Sequence, residues 1–169
     1  MQKMQRNNLE SFFSKKNFIC LVIIVSIFLF DRLTKIQIIK NQINNSAIFV
    51  NDYLNFDLIW NNGIVFGLLN IDPGLYYHLI SAFILTIIVL IVYFLIKSKK
   101  NDKFFYAFVL GGALGNLYDR IFYYAVPDFI DLHFNQYHWF TFNIADIFIT
   151  IGVICLIYDE VFLQKKVNE

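Results

Sequence analysis

The chain has 169 residues, enough for one domain, and 58% of them are hydrophobic against only 16% charged, with a mean hydropathy of +0.56. A water-soluble domain carries about 25% charged residues, so the deficit argues against an ordinary soluble surface and makes lipid the expected solvent. The net charge of +1 argues neither for nor against nucleic acid, and both cysteines, Cys20 and Cys155, sit within apolar runs, which argues against a disulfide framework.

Near the N-terminus, Lys15 and Lys16 precede an apolar run from Phe18 to Phe30, a pattern that imitates a secretory signal. No small-x-small cleavage site follows, whereas Asp31, Arg32 and Lys35 do. The segment is therefore expected to be retained. Cys20 follows the bulky Ile19 and is not a lipidation site in this reading.

A spanning helix needs about 20 mainly apolar residues. Four segments qualify, at about 17–40, 76–96, 104–120 and 143–162. Lys3, Arg6, Lys15 and Lys16 precede the first; Lys97, Lys99, Lys100 and Lys103 lie between the second and third; Lys165 and Lys166 follow the fourth. The two other connections, 41–75 and 121–142, hold no Lys or Arg. The positive-inside rule then predicts cytoplasmic termini, a cytoplasmic basic loop and two outward-facing long loops. In the first of these, residues 48–60 alternate apolar and polar positions, notably Leu54, Phe56 and Leu58, which predicts strand. The second is rich in Phe, Tyr, His and Trp and is expected as an aromatic loop resting on the headgroup layer. Asp72-Pro73-Gly74 reads as a turn, and the whole chain as a single membrane-embedded domain over 1–169.

Ionisable groups are costly inside a bilayer and are rare there unless they have a partner or a task. Asp31 and Lys35, four apart on one helix face, read as a structural ion pair near the interface. Asn61, Gly63, Phe66 and Gly67 follow the presumed strand. By themselves they signal a turn; the functional alternative is an amide or backbone group reaching a bound peptide. Gly111 and Gly115 have the small-xxx-small spacing that brings helices close. Asn116 and Arg120 lie one turn apart, and Arg120 either anchors at headgroups or stabilises a carboxylate, a carbonyl oxygen or a phosphate.

The candidate catalytic acids are Asp119, Asp128, Asp131 and Asp146. Asp146, at the head of a span, is preferred as one member of a pair; residue chemistry leaves its partner open among the other three. Two adjacent carboxylates cannot both ionise cheaply, so one keeps its proton and the pair offers a general base together with a general acid. The simpler reading of a lone Asp at a helix start is an N-cap. Cysteine and serine chemistry lacks an evident base, and His78, His133 and His138 show no zinc-like spacing and read as interfacial residues.

Several ordered motifs carry a family resemblance: Asp31-Arg-Leu-Thr-Lys35, Asn61-Asn-Gly-Ile-Val-Phe66, Gly111-Gly-Ala-Leu-Gly-Asn-Leu-Tyr-Asp-Arg120, Val126-Pro-Asp-Phe-Ile-Asp131 and Phe142-Asn-Ile-Ala-Asp146. With these, the chain resembles lipoprotein signal peptidase (signal peptidase II), the aspartic protease of the bacterial inner membrane, over nearly its whole length. Small departures fall at Val126-Pro127, Asn62 and Ile64-Val65. The resemblance implies an all-α membrane protein, a four-transmembrane-helix bundle with a small extracytoplasmic β-cradle at about 41–62 and a mobile helix-bearing loop at about 63–75. It implies Asp128 and Asp146 as the catalytic pair, with Asn61, Gly63, Phe66, Asn116, Arg120 and Asn143 supporting or binding substrate, and Asp31, Lys35 and Asp119 structural. The implied reaction hydrolyses the signal peptide bond before the diacylglyceryl-modified cysteine of a prolipoprotein, with no metal, nucleotide or organic cofactor. The implied partners are lipid-modified prolipoproteins and membrane lipids, with no nucleic acid and no obligate protein partner. The rival from another class is a small proton-coupled transporter, which predicts polar groups spread through the depth of several spans; here they crowd at the outer ends.

Overall fold

The computed structural model of the chain describes residues 14–41, 47–63, 74–98, 102–135 and 137–163. Its helices are α1 (Lys15–Asn41), α2 (Leu75–Lys97), α3 (Lys103–Tyr123) and α4 (Ile144–Tyr158), the last running into a π-helical turn at Asp159–Leu163. Its strands are β1 (Ile48–Asn51), β2 (Leu54–Asn61), β3 (Val126–Phe134) and β4 (Tyr137–Phe142). The helices fall within a few residues of the four apolar segments read from the sequence.

Local chemistry explains the ends. The Ser14 hydroxyl accepts from the Asn17 amide at 3.3 Å and caps α1. Tyr124 takes a left-handed φ of 56° just past α3 and turns the chain into β3. Asn143 and Asp146 form a reciprocal capping box at the start of α4.

The helix α3 packs against α1, α2 and α4, and glycines set the closeness. A Cβ on Gly111 would stand 2.9 Å from Ile27 Cβ, and one on Gly115 would stand 2.6 Å from an Asp31 carboxylate oxygen. The small-xxx-small pair therefore seats α1. A Cβ on Gly112 would meet the Ala145 carbonyl oxygen at 2.4 Å, so the neighbouring side of α3 seats α4 at least as closely.

The apolar pattern is inverted relative to a water-soluble bundle. Phe18, Leu21, Leu33, Leu79, Phe83, Val89, Phe122 and Ile154 are among the large apolar side chains left exposed, while Asp31, Lys35 and Asp119 are fully buried. Among the described helices, the stretch Tyr77–Lys97 of α2 is long and apolar enough by length and composition to cross a membrane, and only 6% of its most apolar window is buried.

Four strands form one antiparallel sheet in the order β1-β2-β3-β4. The hairpin of the first long loop is joined to the second loop through β2 and β3, with Leu54 opposite Leu132 and Asn61 opposite Val126. The strand expected at 48–60 is thus present. The second loop is a correction: it is a hairpin, not an aromatic loop, and a fully all-α description does not hold. Tyr137–Phe142 is aromatic or apolar at most positions, so the period-2 contrast that marks a strand is hidden there. The helix-bearing loop expected at about 63–75, together with Phe66, Gly67 and the Asp72-Pro73 turn, falls mainly on residues 64–73, outside the described residues.

Candidate active site

The central strand β3 carries Asp128, and its partner β2 ends at Asn61, opposite Val126. Cross-strand neighbours on one face lie close enough to interact. Asn61 Nδ2 accordingly donates to Asp128 Oδ2 at 2.8 Å. From the other side, Asn143 Nδ2 donates to Asp128 Oδ1 at 2.6 Å. Both oxygens of a buried carboxylate are held by neutral amides.

Asp146 is fixed by the cap of α4. Its backbone amide donates to Asn143 Oδ1 at 3.1 Å, and its Oδ2 accepts from the Asn143 amide at 3.1 Å. Its Oδ1 accepts from Asn116 Nδ2 at 2.8 Å. Asn143 therefore touches both acids, Asp128 through its side chain and Asp146 through the cap. The N-cap of α4 is Asn143, and Asp146, read from the sequence as an N-cap, instead stands at the N3 position of the capping box.

The two carboxylates line one cavity of about 600 Å³, together with Asn61, Asn116 and Arg120 at its polar end. The rest of its wall is apolar and comes mainly from α2 and α4. Burial pushes the Asp128 carboxyl up to about 6, and the charge of Asp146 adds to the rise. The hydrogen bonds from Asn61 and Asn143, and the Lys35 charge, pull the other way.

Beside this cavity lies a second, drier network. Lys35 Nζ donates to Asp31 Oδ2 at 2.8 Å, to Asn116 Oδ1 at 3.0 Å and to Asp119 Oδ2 at 2.7 Å, which uses all three ammonium protons. Arg32 bonds the other Asp119 oxygen, and its guanidinium lies 4.5 Å from the Tyr118 ring centroid. Asp31 Oδ1 accepts from the Ala145 amide at 3.0 Å and so holds the first turn of α4. Asp31, Lys35 and Asp119 thus lie together and apart from the cavity.

Arg120 lies on the cavity wall but makes no direct bond to either acid among the described contacts; its Nη1 donates to the Asn116 carbonyl at 3.2 Å and its Nη2 to the Gly63 carbonyl at 3.3 Å. The Gly63 amide donates to Asn61 Oδ1 at 2.9 Å, which turns the Asn61 amide group toward Asp128. Asp131, left open as a partner for Asp146, instead contacts His138 Nδ1 at 2.8 Å. Asp119, the other alternative, is taken up by Lys35 and Arg32. Two partners escaped the sequence reading. Arg32 follows Asp31 directly, but nothing in the chain signals that it reaches Asp119, 87 positions away. The Ala145 amide that Asp31 binds has no sequence signature.

A sequence model of the family described as "Signal peptidase (SPase) II" matches residues 23–162. The chain belongs to the signal peptidase II family. It is a peptidase, of a family whose type is aspartic, and the comparisons give the proton-coupled transporter reading no support. Among signal peptidase II relatives, the lipoprotein signal peptidase of Pelagibacter ubique (strain HTCC1062) is 49% identical over 169 residues, covering 98% of this chain and 99% of that one. That of Rickettsia bellii (strain OSU 85-389) is 40% identical over 151 residues, covering 87% of this chain and 76% of its own. Two solved structures similar to this chain are of bacterial membrane enzymes. A bacterial membrane enzyme determined by the in meso method at 1.9 Å resolution superposes with a TM-score of 0.73 at 31% identity, over 85% of this chain and 92% of that one. Another, at 2.3 Å resolution, gives 0.69 at 31% identity over 84% and 89%.

Proposed function

We propose that the chain is a membrane-embedded aspartic endopeptidase that hydrolyses the signal peptide bond before the diacylglyceryl-modified cysteine of prolipoproteins, with Asp128 and Asp146 as its catalytic pair. One observation carries the assignment of the pair. Two acids from separate elements open on one cavity, and each of their four oxygens accepts from an amide donor. Each carboxylate oxygen has two acceptor sites, so each keeps one free for water or substrate. Such bracing presents reactive groups in a fixed orientation before substrate arrives.

In this mechanism the pair shares one proton. The ionised member takes a proton from water as it attacks the scissile carbonyl carbon. The protonated member donates to the carbonyl oxygen, and the proton taken from water then goes to the leaving amine. The apparent pKa values belong to the pair. Arg120, which already binds two backbone carbonyls, suits a third from the peptide. The apolar wall formed by Leu79, Ile80, Phe83, Ile84, Ile149 and Val153 suits acyl chains, so a lipid-anchored substrate reaches the acids without leaving the bilayer.

The four helices are read as four spans of one domain over 1–169, with both termini and the basic loop cytoplasmic and the sheet outside, at the inner membrane of a bacterium. Two facts support this reading. The loops free of Lys and Arg both feed the one sheet, so they share a side. The basic residues Lys15, Lys16, Lys97 and Lys103 lie at the other ends of the helices.

The test uses purified protein and a lipid-modified prolipoprotein peptide. Asp128→Asn and Asp146→Asn are each expected to lower kcat by roughly 10²- to 10⁴-fold while the protein stays folded. Cleavage at the wild-type rate by either folded variant would remove that residue from the catalytic pair.

A further inference from the structure

We propose that Asp131, His133 and His138 form a binding site for one divalent transition-metal ion, of the kind zinc represents, on the sheet face turned away from the cavity. This goes beyond the peptidase reading and does not depend on it. The ligand atoms of these three side chains all lie within 4.8 Å of one another. The sheet brings them together. Asp131 and His133 are two apart on β3 and so share a face. His138 is the cross-strand partner of His133, and Trp139 next to it is an extra residue of β4 without a partner on β3. The two imidazoles stack at 5.3 Å and 26°.

The polar bookkeeping points to a cation. His138 Nδ1 lies 2.8 Å from Asp131 Oδ2. His133 Nδ1 lies 3.7 Å from the same oxygen, too far for a hydrogen bond, and has no hydrogen-bond partner among the described residues although its side chain is only 8% exposed. Asn55, paired across from Asp131 on β2, also leaves its Oδ1 buried without a partner among the described residues. A plain strand-to-strand bond between Asp131 and His138 accounts for one imidazole and leaves the other orphaned. A metal ion accounts for both. Ligand atoms at about 2.0–2.2 Å from a tetrahedral zinc stand about 3.3–3.6 Å apart, close to the 3.7 Å His133–Asp131 spacing, while the 2.8 Å His138–Asp131 pair has to open to admit the ion. His138 has 59% of its side chain exposed, which gives an ion a way in and leaves a fourth position facing solvent.

Asp128 and Asp131 are an odd number of residues apart on β3 and face opposite ways. The ion therefore stands outside the cavity, and peptide hydrolysis does not run through it.

The experiment uses the full chain, purified in detergent without a polyhistidine tag and stripped with a chelator. Zinc chloride is titrated by calorimetry, and cobalt chloride is followed by visible absorption. The expected result is one zinc per chain and the strong visible bands of low-coordinate cobalt. His138→Ala changes an exposed side chain and leaves the fold intact; it should weaken zinc binding by at least about tenfold, as should Asp131→Asn. His78→Ala, whose ring packs on Tyr124 elsewhere, should bind as wild type does. Stoichiometry well below one, or a folded His138→Ala protein that binds zinc as tightly as wild type, overturns the proposal. Peptide cleavage should survive chelation; its loss would put the ion in the wrong place.

Discussion

Asn116 is where the buried charges meet the candidate acids. Its Oδ1 accepts from Lys35, which leaves its Nδ2 as the donor to Asp146. An amide that could face either way is thus fixed by an ammonium, which can only donate. Replacing Lys35 by Met leaves Asp31 and Asp119 short of a counter-charge in a dry site, a loss on the order of 3–5 kcal/mol. The expected outcome is a clear fall in thermal unfolding midpoint in detergent, with reduced cleavage by the molecules that remain folded; an unchanged midpoint would refute the structural role. Asn61 tests the other acid. Burial sets Asp128 at about 6, and the Asn61 hydrogen bond favours its ionised form and pulls the value down. Removing that bond in Asn61→Ala raises the carboxyl further. The proposed pair works with one proton bound, so one limb of the kcat/KM profile should move to higher pH in this variant: the alkaline limb where Asp128 carries the shared proton, the acid limb where Asp146 does. A pH–rate profile of both proteins checks it, and a profile with both limbs unmoved, or with either moved down, contradicts the assignment.

At the scale of elements, α3 works as a spacer with glycine on two sides. Gly112 is the sharper case because the atom a Cβ would strike is backbone, the Ala145 carbonyl oxygen at 2.4 Å. That oxygen cannot rotate away, so α4 itself must move, and Asp146 is the next residue. Gly112→Ala should cost roughly 1–3 kcal/mol of stability and lower cleavage in the folded fraction, measured by thermal melting and by turnover of the lipid-modified peptide. Equal melting and turnover would mean that the contact is softer than described. The helices were legible in the sequence because lipid imposes long apolar runs that need no periodicity. The helix-seating role of Gly111 and Gly115 follows from a short-range rule of the same kind; the simpler reading puts the cap of α4 on the aspartate, whereas Asn143 supplies it. What stayed hidden depends on pairing between distant strands. Nothing in 137–142 contrasts one face with the other, and nothing along the chain tells that His133 and His138 stand opposite each other. Residue chemistry also left Asp119, Asp128 and Asp131 equivalent as partners for Asp146. In the fold Asp119 bonds Lys35 and Asp131 contacts His138, while Asp128 lies on the cavity wall with Asp146, which supports the proposed pair.

For the molecule as a whole, the charge distribution and the sheet make one joint claim about orientation. The first loop lacks Lys and Arg and so does the second, yet they are separated in sequence by two helices and a basic connection. Pairing of β2 with β3 forces both loops to one side, which an odd number of crossings between them would forbid. The two independent features fit the proposed course of four spans, out, back, out and back, with Asp31, Lys35 and Asp119 buried beside the end of the bundle that carries the sheet. A cysteine placed at exposed Asp52, in the turn between β1 and β2, should then react with a membrane-impermeant maleimide added outside intact cells. A cysteine placed at Lys97, at the far end of α2, should react only after the membrane is permeabilised. Both variants are made with Cys20 and Cys155 changed to Ser, so that each carries one thiol. The reverse pattern would invert the whole molecule and put Asp128 and Asp146 on the cytoplasmic side, where a lipid-anchored substrate crossing outward would not meet them. Equal labelling of both sites in intact cells would instead mean that α2 does not span.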